Sequence, residues 1–140
     1  MRLVLDTDVI VAAMRSPSGA SAAILMAALE HRVLLVANVP LVIEYEATCS
    51  LAEHRLAASL NEIEVRQFLD AVAAMIEPVE THFLWRPRLR DPGDEMVLEA
   101  AVNGRAGAIV TFNVRDYGDA PKEFGIGVLR PREVLQRLAK

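Results

Sequence analysis

The chain has 140 residues, of which 53% are hydrophobic and 24% are charged, a composition typical of a globular protein and not of a disordered one. Its net charge of -4 excludes a uniformly basic surface, although a local basic patch could still contact nucleic acid. Because Cys49 is the only cysteine, an internal disulfide is also excluded.

No stretch has the pattern of a signal peptide, and none approaches the roughly 20 consecutive apolar residues of a membrane helix. We therefore expect a soluble, cytoplasmic protein that does not enter a membrane. Residues 1–140 are predicted to form one domain, which is long enough to bury a core.

Short apolar runs along the chain predict buried strands at residues 2–6, 33–36, 108–111 and 128–129. Helical spacing, prolines and cap residues predict helices before residue 17, over 21–31, from 40 onward, over 61–76, from 91 to about 104 and from 131 onward. Residues 78–90 are predicted to be irregular, with room for one short strand. Strands that alternate with helices indicate an α/β fold, with a central, mostly parallel sheet flanked by helices.

Four acidic residues occupy similar places relative to these elements. Asp6 ends the first strand, and Glu44 lies between apolar residues of the helix from residue 40. Asp94 lies in the first turn of another helix, and Asp116 closely follows the third strand. Ligands of parallel sheets gather beyond the carboxyl ends of the strands, so we expect these carboxylates to converge. They would repel each other unless a divalent cation lay among them.

Each acid alone also has a structural explanation. Asp6 could cap a helix, Glu44 could be a plain surface residue, and the helix dipole favours Asp94. In the same turn, we predict that Asp91 is the N-cap and that Glu95 faces solvent. The metal hypothesis therefore depends on the set of acids and not on any one of them.

Other candidate ligands are weaker. If the chain is extended at Asp8, we expect this residue to lie away from the site, whereas in a chain that is already helical there Asp8 could cap the helix or support the site. His31, His54 and His82 have no mutual metal-ligand spacing and are predicted to be surface or helix-end residues.

Carboxylate and water oxygens are the ligands that Mg²⁺ and Mn²⁺ prefer. Asp6, Glu44, Asp94 and Asp116 are therefore predicted to hold one or two such ions and to act in catalysis. An ion held there would lower the pKa of a bound water and neutralise the leaving oxygen of a phosphodiester.

Positive charge lies next to these acids in the sequence. Arg86, Arg88 and Arg90 precede Asp91, and Arg115 directly precedes Asp116. These arginines could contact the phosphates of a bound substrate. They could equally be solvated loop residues that balance the acids.

Four motifs together resemble the PIN domain, and more narrowly the VapC-like toxins of bacterial toxin–antitoxin pairs. They are Leu5-Asp6-Thr7-Asp8-Val9, Glu44 after Pro40, Asp91-Pro92-Gly93-Asp94-Glu95, and Val110-Thr111-Phe112-Asn113-Val114-Arg115-Asp116-Tyr117. The resemblance implies a Rossmann-like parallel sheet and a Mg²⁺- or Mn²⁺-dependent ribonuclease. It also implies a homodimer that a cognate antitoxin neutralises.

Carried over motif by motif, the resemblance makes Asp6, Glu44, Asp94 and Asp116 the metal-binding acids. The supporting polar residues are then Thr7, Thr111 and Asn113. The chain departs from the family pattern at Asp8, where many relatives have Asn or Ser, and at Asn113, where many have an acid. If Asn113 takes the fourth ligand position, the second metal site is weak or absent.

Two other functions fit parts of the sequence. The Asp6-Thr7-Asp8 motif after a first strand also suits a phosphatase of the haloacid-dehalogenase type. That chemistry needs a lysine ahead of the distal acids, whereas the only lysines here are Lys122 and Lys140. The other alternative is a PIN-like module that dimerises or binds a partner without catalysis.

Overall fold

A computed structural model of the chain describes residues 1–81, 89 and 91–140. The strands of this part are β1 (Arg2–Leu5), β2 (Leu34–Ala37), β3 (Ile76–Pro78), β4 (Ala108–Val110) and β5 (Gly127–Leu129). The α-helices are α1 (Thr7–Arg15), α2 (Ala20–Leu29), α3 (Val39–Cys49), α4 (Ala52–Ala57), α5 (Glu62–Met75), α6 (Pro92–Asn103) and α7 (Pro131–Leu138). Two 3-10 helices, Val114–Tyr117 and Pro121–Phe124, lie between β4 and β5.

The strands form one sheet in the order β3-β2-β1-β4-β5, and all four strand pairings are parallel. The predicted α/β fold with a mostly parallel sheet is therefore confirmed. From β1 the chain builds the sheet outward through β2 and β3, and it then crosses to the other side of β1 to add β4 and β5. This reversal puts a topological switch point between β1 and β4, where open α/β sheets bind ligands.

The central strands are covered on both faces, which explains why they read as unbroken apolar runs. Val4 of β1 and Ile109 of β4 are both 0% exposed. Helices α1, α2, α3 and α6 bury apolar side chains around this sheet, including Ile10, Ile24 and Leu98. The buried centre holds the carboxyl ends of β1 and β4 in fixed positions.

Several helix boundaries agree with the cap residues of the sequence. Asn61 and Glu64 form the predicted capping box of α5. Asp91 is the N-cap of α6, where its side chain accepts the N–H of Gly93 at 2.7 Å. Helix α6 ends at Gly104, as predicted. Each cap satisfies backbone groups that the first or last helical turn leaves without partners.

Two sequence-based boundaries were wrong, and one helix was not predicted. Asp6 is not the last strand residue but the N-cap of α1, which begins at Thr7. Ile76, assigned to the apolar stripe of α5, has an extended backbone and begins β3. Pro78 follows two residues later, and a proline there disfavours a continued helix. Helix α4 was not predicted, because its six residues bury no side chain and carry no periodic signal.

Within the described residues, no single helix has the length and apolar character needed to cross a membrane. Helices α1 and α2 together have a suitable length and composition, but the chain bends by 97° between them.

Candidate active site

Asp6 lies at the switch point, between the end of β1 and the start of α1. Its backbone N–H donates to the carbonyl of Val110 at 2.9 Å, and its Oδ1 accepts the N–H of Thr7 at 2.8 Å. Its Oδ2 accepts the hydroxyls of Thr111 at 2.8 Å and Tyr117 at 3.0 Å. Donors from both sides of the β1–β4 junction therefore hold the carboxylate in one orientation.

Asp8 belongs to the same network. Its Oδ2 accepts the N–H of Phe112 at 3.0 Å and the side-chain amide of Asn113 at 3.1 Å. Thr111 Oγ1 lies 3.4 Å from that oxygen, but its one proton is better placed toward Asp6. The chain is already helical at Asp8, so the expectation for an extended chain does not apply and the supporting role does.

The four predicted acids line one cavity of about 370 Å³ at the carboxyl edge of the sheet. Its described lining is Asp6, Thr7, Asp8, Val11, Glu44, Thr48, His54, Asp91, Asp94, Asn113 and Asp116. The first turn of α6 lies against Glu44, since a Cβ placed on Gly93 would lie 3.6 Å from both Glu44 carboxylate oxygens. The structure thus brings together carboxylates from the starts of α1 and α6, from α3, and from the 3-10 helix after β4.

The proximity of these acids is reflected in their pKa values. Burial, and then the charges of Asp6, Asp91 and Asp116, raise the pKa of Asp94 to about 6. Burial and the charge of Asp6 likewise raise the pKa of Asp8 to about 6. The pKa of Glu44 is raised by burial and by the charges of Asp6 and Asp91. Nearby negative charge disfavours ionisation of each acid, as expected when no cation compensates it.

The predicted supporting residues occupy defined places in this network. Thr111 is fully buried and its hydroxyl both donates to Asp6 and accepts the N–H of Asn113 at 3.0 Å. Thr7 is buried and lines the cavity together with Glu44, and no described residue is a hydrogen-bond partner of its hydroxyl. The Asn113 amide donates to Asp8, while Asp116 lines the cavity beside it. Both Asn113 and Asp116 therefore face the acids.

Sequence reasoning assigned no role to the two tyrosines, although both are buried next to the site. Tyr117 is 0% exposed, its hydroxyl donates to Asp6, and its presence beside Asp94 lowers the pKa of that carboxyl. The Tyr45 hydroxyl donates to the carbonyl of Leu5, at the end of β1. Burial raises the pKa of both phenols. The only sequence signal was the position of Tyr117 beside Asp116.

Two further expectations in this region require correction. Glu95 was predicted to face solvent, but it is only 8% exposed because its carboxylate accepts the N–H of Leu89. His54 lies in the last turn of α4, which agrees with the helix-end prediction, but its side chain is only 20% exposed and lines the acidic cavity, which was not predicted. His31 is exposed just beyond the end of α2, as predicted.

The candidate RNA-contacting arginines are only partly covered by the structure. Arg115 is exposed and lines a second cavity of about 490 Å³, which shares Asp91, Asp94 and Asp116 with the first. Arg86, Arg88 and Arg90, together with His82, lie outside the described residues. Their predicted contacts remain sequence-based.

The donor set fits a hard divalent cation in its chemistry. The cavity offers carboxylate, amide and hydroxyl oxygens, and Oδ1 of Asp8 is a buried oxygen for which the described residues provide no hydrogen-bond partner. In the described part of the chain, however, no three His, Cys, Asp or Glu side chains already stand in metal-ligating positions. An ion would therefore have to draw the acids closer together than they lie here.

Comparison with known proteins identifies the family. A family model described as PIN domain matches residues 2–115. The chain belongs to the PIN domain family. The match to the PIN domain includes Asp6, Glu44, Asp94 and Asn113 and ends one residue before Asp116.

The fold of this PIN domain also resembles a solved structure, that of VapBC2 from Rickettsia felis bound to a DNA fragment from their promoter. The TM-score is 0.60 at 13% sequence identity, and the alignment covers 93% of this chain and 98% of the other. At that identity the likeness concerns the fold. No curated protein matches the chain at a significant level.

Proposed function

We propose that this PIN domain is an endoribonuclease that depends on Mg²⁺ or Mn²⁺ and is the toxin of a toxin–antitoxin pair. The observation that carries the proposal is the convergence of Asp6, Glu44, Asp94 and Asp116 on one cavity at the switch point of the sheet. A carboxylate cluster of this kind has raised pKa values until a cation compensates its charge. One or two ions are the cofactor expected there.

The chain's own residues have distinct roles in this proposal. Asp6, Glu44, Asp94 and Asp116 would hold the metal, which supplies an activated water and neutralises the leaving oxygen when bound. Thr111 fixes the orientation of Asp6, and Thr7 lines the cavity together with Glu44. Asn113 fixes Asp8, which anchors the loop after β4 to the start of α1.

The partners follow from the same proposal. RNA is the substrate, with Arg115 and the sequence-predicted Arg86, Arg88 and Arg90 as phosphate contacts. The structural neighbour is named as VapBC2, which supports a cognate antitoxin as the protein partner here. We further propose a homodimer that acts in the cytoplasm, which light scattering and cell fractionation can test.

Manganese-dependent cleavage tests the activity. Purified protein is incubated with mixed-sequence RNA in Mn²⁺ or in chelator, and the same is done for Asp6→Asn and Asp94→Asn. We expect each variant to lose about 100-fold or more in cleavage rate, since loss of a residue that only supports a ligand already costs about 10–100-fold. Glu46→Gln is the matched control, because it removes an exposed carboxylate from α3 two residues after Glu44.

The outcomes are distinct. Cleavage that needs Mn²⁺ and is kept by Glu46→Gln supports the carboxylate mechanism. Cleavage retained by an Asp6→Asn/Asp94→Asn double variant would overturn the assignment of these acids. Hydrolysis of small phosphomonoesters in place of RNA would favour the phosphatase, although the described lining of both cavities contains no lysine.

The alternative is an inert PIN-like module that binds a partner or dimerises. It is favoured by one observation, the lack of three described side chains in metal-ligating positions. Thermal unfolding separates the two functions, because a ligand that binds only the folded state raises its stability. An inert module would show the same melting temperature in chelator and in millimolar Mn²⁺.

A further inference from the structure

The two cavities at the carboxyl edge form one continuous groove with the acids in its middle. Asp91, Asp94 and Asp116 line both cavities. The first cavity continues to Thr48 and His54, while the second continues to Arg115 and the turn after it. Among the described lining residues, His54 and Arg115 are the ones that carry or can acquire positive charge, and they occupy opposite ends.

The His54 end is reinforced by Arg15, which lies in the last turn of α1. The Arg15 guanidinium is 3.4 Å from Nδ1 of His54. A guanidinium can only donate, so Nδ1 accepts and the ring hydrogen lies on Nε2. That nitrogen is 3.7 Å from the carboxylate of Glu53, beyond hydrogen-bond range. The exposed Arg15 and the Nε2–H of His54 can therefore both donate to an anion in the groove.

The ligand that fits this arrangement has phosphates at regular intervals along a flexible chain. A phosphate next to the acids needs a metal ion between the like charges. The phosphates on either side of it can bind Arg15 and His54 at one end, or Arg115 at the other, and need no metal. Cavities of 370 and 490 Å³ have the size of small-ligand sites. The side chain of His54 is only 20% exposed, so a flexible single strand can reach it more readily than a rigid duplex can.

Building on the proposed ribonuclease function, we propose that this groove binds single-stranded RNA with Arg15 and His54 contacting a phosphate on one side of the cleaved linkage. Arg115 contacts a phosphate on the other side. The acids thus determine where cleavage occurs, and the two cationic ends determine how the strand lies across them.

RNA binding measured apart from cleavage tests this groove. A fluorescein-labelled, mixed-sequence RNA of ten nucleotides is titrated by anisotropy in Ca²⁺, which takes the same oxygen ligands at longer distances. We expect Arg15→Gln/His54→Gln to weaken binding by about 10-fold. The slope of log K against log salt should fall by about 0.7 for each phosphate of the single strand that the variant no longer neutralises. Arg115→Gln should behave similarly.

Two further variants separate recognition from folding. Arg137→Gln removes an equal charge from the exposed last turn of α7 and should leave binding unchanged. Arg15→Lys keeps the charge and should retain most of the affinity. The proposal is overturned if wild type does not bind the RNA, or if the Arg15/His54 variant binds it as tightly as Arg137→Gln. An unchanged salt slope in a weakened variant would also overturn it.

Cleavage by wild type in Mn²⁺ reports separately on the proposed function. If the double variant loses RNA binding and wild type cleaves RNA, both proposals are supported. If binding is lost as expected but wild type never cleaves, the groove proposal stands and the ribonuclease proposal fails.

Discussion

Tyr117 is the residue that links two of the candidate metal ligands. Its side chain is fully buried, its hydroxyl donates to Asp6 at 3.0 Å, and the same hydroxyl lowers the pKa of Asp94. Because Asp6 and Asp94 lie far apart in the sequence, one phenol connects parts of the site that the backbone does not. Its expected role is to position these carboxylates.

Replacing Tyr117 with phenylalanine should weaken Mn²⁺ binding by about 10-fold, within the range typical for groups that orient metal ligands. Isothermal titration calorimetry measures this affinity directly. Tyr45→Phe is the control, because it also deletes a buried hydroxyl, but one that donates to the Leu5 carbonyl. That variant should lose about 1 kcal/mol of stability and keep its metal affinity. Equal losses of affinity in both variants would argue against a positioning role.

Among single residues, Asp8 and Glu95 show the limits of prediction from sequence. The side-chain direction of Asp8 depended on whether the chain there is extended or helical, which the sequence left open, and in the structure α1 already begins at Thr7. Glu95 is buried and its carboxylate accepts the N–H of Leu89, a contact across six residues that has no sequence signal. Both cases concern contacts that depend on where a helix begins or on how a loop folds back.

At the level of elements, the C-terminus of α6 packs closely against the sheet at Gly104. A Cβ on this residue would lie 2.7 Å from the Ala100 carbonyl and 3.0–3.1 Å from methyl groups of Val79 and Val36. The Gly104 carbonyl accepts two hydrogen bonds from the Arg2 side chain, at 3.1 and 2.7 Å. This contact fixes one end of the helix that carries Asp94 at the other.

Gly104→Ala should therefore reduce the free energy of unfolding by about 1–3 kcal/mol, as overpacking typically does. Urea denaturation measures it. Gly107→Ala is the matched control, since a Cβ there would meet only the Arg2 carbonyl at an ordinary 3.7 Å. That change should stay within about 1 kcal/mol. A Gly104 variant as stable as the Gly107 variant would show that the helix end can shift freely.

Strands and helices marked by an apolar run or a cap residue in the sequence were predictable, and elements that lack such a pattern were not. The central strands are continuous apolar runs in the sequence because both their faces are covered. Cap residues such as Asn61 and Asp91 mark where helices begin. Strand β3 has three residues, half-buried or exposed, and α4 buries none. Their structure depends on neighbours that are distant in sequence.

At the level of the whole molecule, the carboxylate cluster opposes folding when no metal is present. The pKa of Asp94 is about 6 in the folded protein, against an ordinary value of 3.8. The folded state then holds this proton more tightly than the unfolded chain does. Its contribution to stability is fully present below about pH 4 and is lost as the pH rises through about 6.

Asp94→Asn removes that pH dependence. In chelator, the variant should lose less stability than wild type between about pH 4 and 7, and at about pH 7 it should be the more stable protein, since repulsion by Asp6, Asp91 and Asp116 is relieved. Denaturant melts across this pH range measure the difference. Glu46→Gln should follow wild type. Adding Mn²⁺ should reverse the order, and a wild type that stays less stable in Mn²⁺ would contradict a metal site.

The parallel direction of the strands explains why the clustering of the acids could be predicted, although the distances between them could not. Parallel strands put all their carboxyl ends at one edge of the sheet, so the sequence alone predicts that Asp6 and Asp116 lie close together. Their distances depend on how α3 and α6 pack, which composition and periodicity do not encode. The clustering was therefore predictable, and the hydrogen bonds of Thr111 and Tyr117 were not.

The position of β1 at the centre of the sheet has a consequence for synthesis of the protein. Thr111 and Tyr117, the two hydroxyl donors of Asp6, are synthesised more than a hundred residues after it. Strands β4 and β5 and their loop must leave the ribosome before the carboxylates can be aligned. A chain that ends before these residues therefore lacks the assembled site, so any activity of the site arises only after translation has passed this point.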